Sequence, residues 1–247
     1  MLRKTVIIAF VVLMAATALT TTGCRAVRLP DTSRTTSESK TVALDGATTI
    51  ETRIRMGVGE LSLSGETSAT DALKADFTYE PVSWKPEVSY AVDGGVGKLE
   101  VRQPEPTEVP AFKSAHNTWG LVLAGGAPTD LSLQLGVGRS VVDLRNVDVR
   151  KLDVLSGVGD CTVDLTGPRA NGLTGRVEAG VGKLTIRLPK GVGVRVGGRE
   201  DGVGHTTADG FIAQGGSWVN EAYSGSGPRI EIELVRGIGD VTLVLVD

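Results

Sequence analysis

Apolar and polar residues alternate with period two along most of this chain, and the alternation restarts after each copy of one glycine triplet. The copies read GVGELSL from Gly57, GVGKLEV from Gly95, GVGRSVV from Gly136, GVGDCTV from Gly157, GVGKLTI from Gly180, GVGHTTA from Gly202 and GIGDVTL from Gly237. Their spacings are 38, 41, 21, 23, 22 and 35 residues, so a unit of about 22 residues recurs and the longer intervals carry insertions. The middle residue is always Val or Ile. The residue after the second Gly is charged or His: Glu60, Lys98, Arg139, Asp160, Lys183, His205 or Asp240. Three residues beyond that, Leu63, Val101, Val142, Val163, Ile186, Ala208 and Leu243 form an apolar column, with Ser or Thr before most of them. This pattern predicts strands with one buried face, entered at corners where only glycine fits.

A unit this short cannot bury a face alone. Stacked units can, which predicts an all-β fold, a parallel β-solenoid of about seven Gly-Val-Gly rungs. An antiparallel sandwich of hairpins satisfies the same alternation. Between Gly65 and Gly94, the runs Leu73–Tyr79 and Val88–Val92 predict a hairpin insertion covering the N-terminal end. The segment from Gln103 to Thr118, with three prolines, cannot be a central strand and is expected to divide an N-terminal module, 46–125, from a C-terminal one, 126–247.

The start of the chain has a secretory layout: Arg3 and Lys4, then a nearly unbroken apolar run from Val6 to Leu19, then small residues up to Cys24. Residues 1–23 are expected to be a signal peptide. The residues before Cys24 resemble the lipobox of bacterial lipoproteins, with Thr21 standing where that pattern usually has Leu. The resemblance implies a lipid on Cys24 that anchors the chain to a membrane. Residues 24–45 then read as the lipidated cysteine and a polar tether. The expected location is the extracytoplasmic side of the cell membrane, facing the periplasm or the cell surface.

The sequence around the first triplets, RMGVGELSLSG, DALKADFTYEP, WKPEVSYAV and GGVGKLEVRQP, resembles the N-terminal module of bacterial toast-rack proteins. The later repeats resemble the associated putative-adhesin domain, related to the extracytoplasmic part of cell-wall-active-antibiotic-response proteins. The resemblance covers roughly Thr48 to Asp247. It implies a solenoid-like fold in the bacterial envelope and supplies no catalytic residues.

Composition narrows the chemistry. The net charge of −3 is wrong for a nucleic-acid partner, and two His and two Cys leave little for metal or nucleophilic work. No triplet continues as a dinucleotide or P-loop motif. A calcium roll would need an acidic column, but Asp160 and Asp240 share theirs with Lys98, Arg139 and Lys183. Cys161 falls on the apolar face and reads as a small hydrophobe. No cofactor is expected. The expected function is that of a non-enzymatic envelope lipoprotein whose surface meets an envelope protein, a glycan or a second copy of itself. The competing reading is a carbohydrate-active β-helix enzyme, using carboxylates among Asp143, Asp164, Glu200 and Asp201. Val244 and Val246 give the last strand an apolar outer face where earlier copies are polar. Together with Trp218 they are the expected partner surface, unless Leu121-Val122-Leu123 or the insertion around Trp218 covers them.

Overall fold

The computed structural model describes residues 35–67, 70–105, 115–167, 171–199 and 202–247. The signal peptide, Cys24, the first part of the tether, and the pair Glu200 and Asp201 lie outside the described residues.

The chain is all-β. In order, its strands are β1 (Thr36–Ala43), β2 (Thr49–Glu66), β3 (Asp71–Glu80), β4 (Glu87–Asp93), β5 (Val96–Arg102), β6 (His116–Ala124), β7 (Thr129–Asp143), β8 (Val149–Val158), β9 (Cys161–Asp164), β10 (Leu173–Val181), β11 (Leu184–Pro189), β12 (Gly193–Arg199), β13 (Thr206–Asp209), β14 (Ile212–Gln214), β15 (Ser217–Val219), β16 (Arg229–Val235) and β17 (Val241–Val246). The helical elements among the described residues are two 3-10 turns, Val82–Trp84 and Glu221–Ser224.

The strands join in a mixed sheet that folds into two ladders. In the first, β5, β2, β7, β8, β10, β16 and β12 lie side by side, all parallel. In the second, β6, β2, β7, β9, β11, β17 and β13 do the same. Each layer crosses from one ladder to the other at a corner, and β2 and β7 run through it unbroken. Antiparallel strands close the margins: β4 on β5, β3 on β6, β1 on β3, β15 on β12 and β14 on β15.

The glycine triplets make these corners, and the reason is the approach of neighbouring backbones. A Cβ on Gly136 would stand 2.0 Å from the Gly57 carbonyl oxygen of the next layer. At Gly138, φ is +147° and a Cβ would come within 1.7 Å of the Gly59 carbonyl oxygen. The copy at Gly95 is different. It sits at the hairpin between β4 and β5, where Gly94 and Gly95 supply the positive φ values of the turn. Six of the seven triplets are therefore layer corners, and the chain between β5 and β6 carries no triplet.

The order of layers also departs from the order of the chain. Layers follow one another as Gly57, Gly136, Gly157, Gly180, Gly237 and then Gly202, because β16 and β17 enter between β10–β11 and β12–β13. The last strand is thus flanked on both edges.

Two further expectations change. The runs at Leu73 and Val88 are strands, but they do not pair with each other: β3 joins β1 and β6, whereas β4 joins β5. The expected hairpin insertion is instead two separate margins, one on each ladder. The end of the expected tether, Thr36–Ala43, is the edge strand β1. Residues 33–247 form one compact unit. The expected module boundary at 125/126 falls between β6 and β7, both of which pair with β2.

The core lies between the ladders. Leu61 and Leu63 of β2, Ile186 of β11 and Leu243 of β17 are at most 3% exposed, as are Ile54, Leu133 and Val154 on the facing ladder. Burying each such side chain contributes roughly 1.5–3 kcal/mol. Trp119 and Phe77 meet edge to face at 5.5 Å under β3 and plug the N-terminal end.

Candidate interaction surface

The middle residues of the six corner triplets are in register from layer to layer. Val58 lies beside Val137, Val137 beside Val158, Val158 beside Val181, Val181 beside Ile238, and Ile238 beside Val203. All six point outward, with exposures of 40% at Val58, 51% at Val137, 48% at Val158, 45% at Val181, 56% at Ile238 and 69% at Val203. At a strand spacing of about 4.8 Å they form an apolar ridge about 24 Å long. The sequence pattern shows a constant Val or Ile here but gives it no face. Alternation assigns none, because Val58 is two residues from both buried Met56 and exposed Glu60, and the period breaks at the corner.

The ridge has finished ends. At the first layer, Gln103 Oε1 accepts hydrogen bonds from the backbone N–H groups of Gly57 (2.9 Å) and Val58 (3.0 Å), and Asn117 Nδ2 donates to the Val58 carbonyl at 2.6 Å. At the last layer, the Arg236 guanidinium donates to the carbonyls of Gly204 (2.8 Å) and Gly202 (3.2 Å). These side chains engage corner backbone groups that a further layer would otherwise meet.

A column of charge runs beside the ridge. Removing Lys98, which sits on β5 outside the corner series, and following the true layer order gives Glu60, Arg139, Asp160, Lys183, Asp240 and His205, all exposed. The sign alternates along the first five, and the imidazole of His205 ends the column. Asp240 stands between Lys183 and His205, and its Oδ1 lies 3.9 Å from His205 Nδ1 and accepts a hydrogen bond from the His205 backbone N–H at 3.2 Å. Chain order would have set Lys183 and His205 side by side.

The expected partner residues do not share one surface. Val244 is half-buried on the outer side of the second ladder, in register with Arg187 and Asp209, and Val246 is opposite Pro189. Trp218 belongs to the first ladder, opposite Val196 and Ala213, and packs against the core. Leu121 and Leu123 are buried in β6 at the other margin, so they do not cover Val244.

Of the four carboxylates of the enzymatic reading, the two among the described residues, Asp143 and Asp164, are engaged. Asp143 and Asp164 are neighbours in register. Asp143 is chelated by Arg145, with Nε at 2.9 Å and Nη2 at 2.6 Å, and this guanidinium holds its carboxyl below the usual range. Asp164 takes Arg187 Nε at 3.0 Å and both the hydroxyl (2.6 Å) and backbone N–H (3.0 Å) of Thr166. Cys161 is 2% exposed, and burial pushes its thiol up to about 11. His116 is exposed, with Nε2 3.2 Å from the Thr118 hydroxyl. No cluster of metal-ligating side chains occurs among the described residues, and none of their helices is long and apolar enough to cross a membrane.

These features can be set beside known proteins. Residues 31–187 match the sequence model described as the N-terminal domain of toast_rack. A putative cell adhesion protein from Clostridium sporogenes is 30% identical, with a TM-score of 0.78, and the alignment covers 86% of this chain and 100% of that one. A putative adhesin from Bacteroides fragilis aligns at 14% identity and a TM-score of 0.33 over 85% of this chain and 97% of its own. No curated protein sequence matches the chain. The family match spans more than half of the chain and the Clostridium structure is aligned along its whole length, so this chain belongs to the toast-rack putative-adhesin family.

Proposed function

We propose that this protein is a non-enzymatic lipoprotein of the bacterial cell envelope, anchored by a lipid on Cys24, whose solenoid of stacked layers holds an interaction surface away from the membrane. The observation that carries this reading is the corner ridge. Six in-register Val and Ile side chains left in water along a capped edge are costly to keep unless something meets them. The engagement of Asp143 and Asp164 favours a binding role over glycan cleavage by this pair, since a general acid needs a raised pKa and Asp143 is shifted the other way. The adhesive description of the Clostridium relative is in keeping with a surface that binds.

Two measurements test it. Cells fed an alkyne palmitate should label the wild-type chain and leave Cys24→Ala unlabelled and released from membranes. Equal membrane fractions with no label on either chain would overturn the anchor. A photo-crosslinking residue at Val137 should give adducts in intact cells, whereas one at Lys151, on the outer side of the first ladder, should not. Adducts from neither site, or from both equally, would overturn the ridge as the binding surface.

A further inference from the structure

We infer that the partner of the ridge is a second copy of this chain, docked ridge to ridge about a two-fold axis perpendicular to the stack, with the layers of the two copies running in opposite directions. The inference rests on the reading of the ridge as an interaction surface, and charge complementarity selects the occupant. In this arrangement the first layer of one copy faces the sixth of the other, the second faces the fifth, and the third faces the fourth. The apolar pairs across the seam are Val58 with Val203, Val137 with Ile238 and Val158 with Val181. The axis keeps the two charge columns on the same side of the seam. Glu60 then faces His205, Arg139 faces Asp240 and Asp160 faces Lys183, each pair occurring twice. No like charges meet along the columns.

The parallel two-fold arrangement is poorer. It sets each charge column against the outward residues of the first ladder: Glu60 meets Arg55 and Lys183 meets Glu178, but Arg139 meets Gln134, Asp160 meets Leu155 and Asp240 meets Val235, so these three are left without an opposite charge. A neutral glycan would leave these charges unanswered, and the alternation, which also sets unlike charges side by side within one chain, appears only after the last layer has inserted out of chain order. The finished ends point the same way: Gln103, Asn117 and Arg236 occupy the corner backbone at both ends, so association along the ridge is side to side and not end to end. At the exposures found, the ridge offers on the order of 500 Å² per copy, below the roughly 800 Å² of a standard interface before the charged columns add to it. The dimer is therefore expected to be weak, with a dissociation constant roughly in the micromolar range, and sensitive to salt.

A charge-swap experiment on the full chain in detergent tests this by sedimentation velocity. Asp160→Lys alone sets Lys against Lys183 twice across the axis, and Lys183→Asp alone sets Asp against Asp160 twice. Each variant should self-associate at least about tenfold more weakly than wild type. Mixed in equal amounts, the two should restore the dimer, because one copy then carries only Lys at these positions and the other only Asp. Unchanged far-UV circular dichroism and melting show that each variant is folded. As a second probe, Val158→Asp should dissociate the dimer while remaining folded, since Val158 faces solvent in the single chain. A wild type that stays monomeric to several hundred micromolar (about 100-fold above the expected constant), or single variants that dimerise as well as their mixture, would overturn the second copy as partner. In that case the crosslinking from Val137 in cells still decides separately whether the ridge binds something else.

Discussion

Ile238 bridges Val181 on one side and Val203 on the other, although Val203 is the nearer to Val181 in the chain. The later segment is therefore built into the stack ahead of the earlier one, and β17 has β11 along one edge and β13 along the other. Its inward residues should count as core. Leu243, 1% exposed between Ile186 and Ala208, and Ile186 itself, fully buried, should each cost about 2–5 kcal/mol on replacement by Ala. Thr185 points the other way from the same strand, and Thr185→Ala should cost under about 1 kcal/mol. Urea titrations of the three variants check this; equal losses at Ile186 and Thr185 would reverse the assignment of faces.

Glycine substitutions should separate corners from turns. A methyl on Gly138 collides with the backbone of the neighbouring layer at a φ of +147°, so the layers must part to admit it. Gly138→Ala should cost more than about 4 kcal/mol or prevent folding. Gly94 has a φ of +56° but open space around it. Gly94→Ala should cost only about 1 kcal/mol, the strain of the left-handed conformation. Thermal melts of the two variants give the comparison, and similar losses at both would mean that backbone strain, not layer contact, requires the corner glycines.

Much of this architecture is legible in the sequence because the side-chain period and the layer period coincide. Leu63, Val142, Val163 and Ile186 could be aligned from the triplets alone, and they do stack. What the sequence hid has three physical causes. The triplet at Gly95 has the composition of a corner but serves a hairpin, since the same freedom at positive φ suits both. β1 reads as tether because its pairing with β3 is largely polar, Ser37 with Thr78 and Ser39 with Asp76, and presents no apolar stripe. The layer order is set by long-range strand pairing, which local pattern does not encode. Without that order, Glu60 through Asp240 read as a mixed charge column and its alternation was invisible.

Cys161 should behave as a core residue with a pH signature. Burial raises its thiol from the ordinary value of 9.0 to about 11, with a hydrogen bond from Ser156 acting weakly the other way. Below about pH 9 the thiol is neutral in both states and this burial has no pH dependence. As pH rises from about 9 to about 11, only the unfolded chain ionises, so stability falls across that window. Wild type should therefore lose stability relative to Cys161→Val between those values in denaturant titrations. Maleimide mapped by peptide mass should modify Cys161 at pH 8 only after unfolding. Rapid labelling of the native thiol would place it nearer to solvent than the packing indicates.

The outer face of the second ladder offers a last discrimination, because Val244 stands in a column with charged residues on both sides. It sits between Arg187 and Asp209, and Arg187 already reaches back to Asp164 at 3.0 Å. Val244→Asp puts a new carboxylate within the reach of Arg187 and beside Asp209, an attraction and a repulsion of similar size in water. The side chain it replaces is only half-buried, so the variant should stay within about 1 kcal/mol of wild type. Val246→Asp has no cation across from it, since its neighbour is Pro189, and should cost more. Both variants should keep the sedimentation coefficient of wild type, because the ridge lies at the corner and not on this face. A loss above about 3 kcal/mol at Val244 would mean tight intrachain packing there. A smaller species with the fold intact would make this face, and not the ridge of Val158 and Val181, the surface on which copies meet.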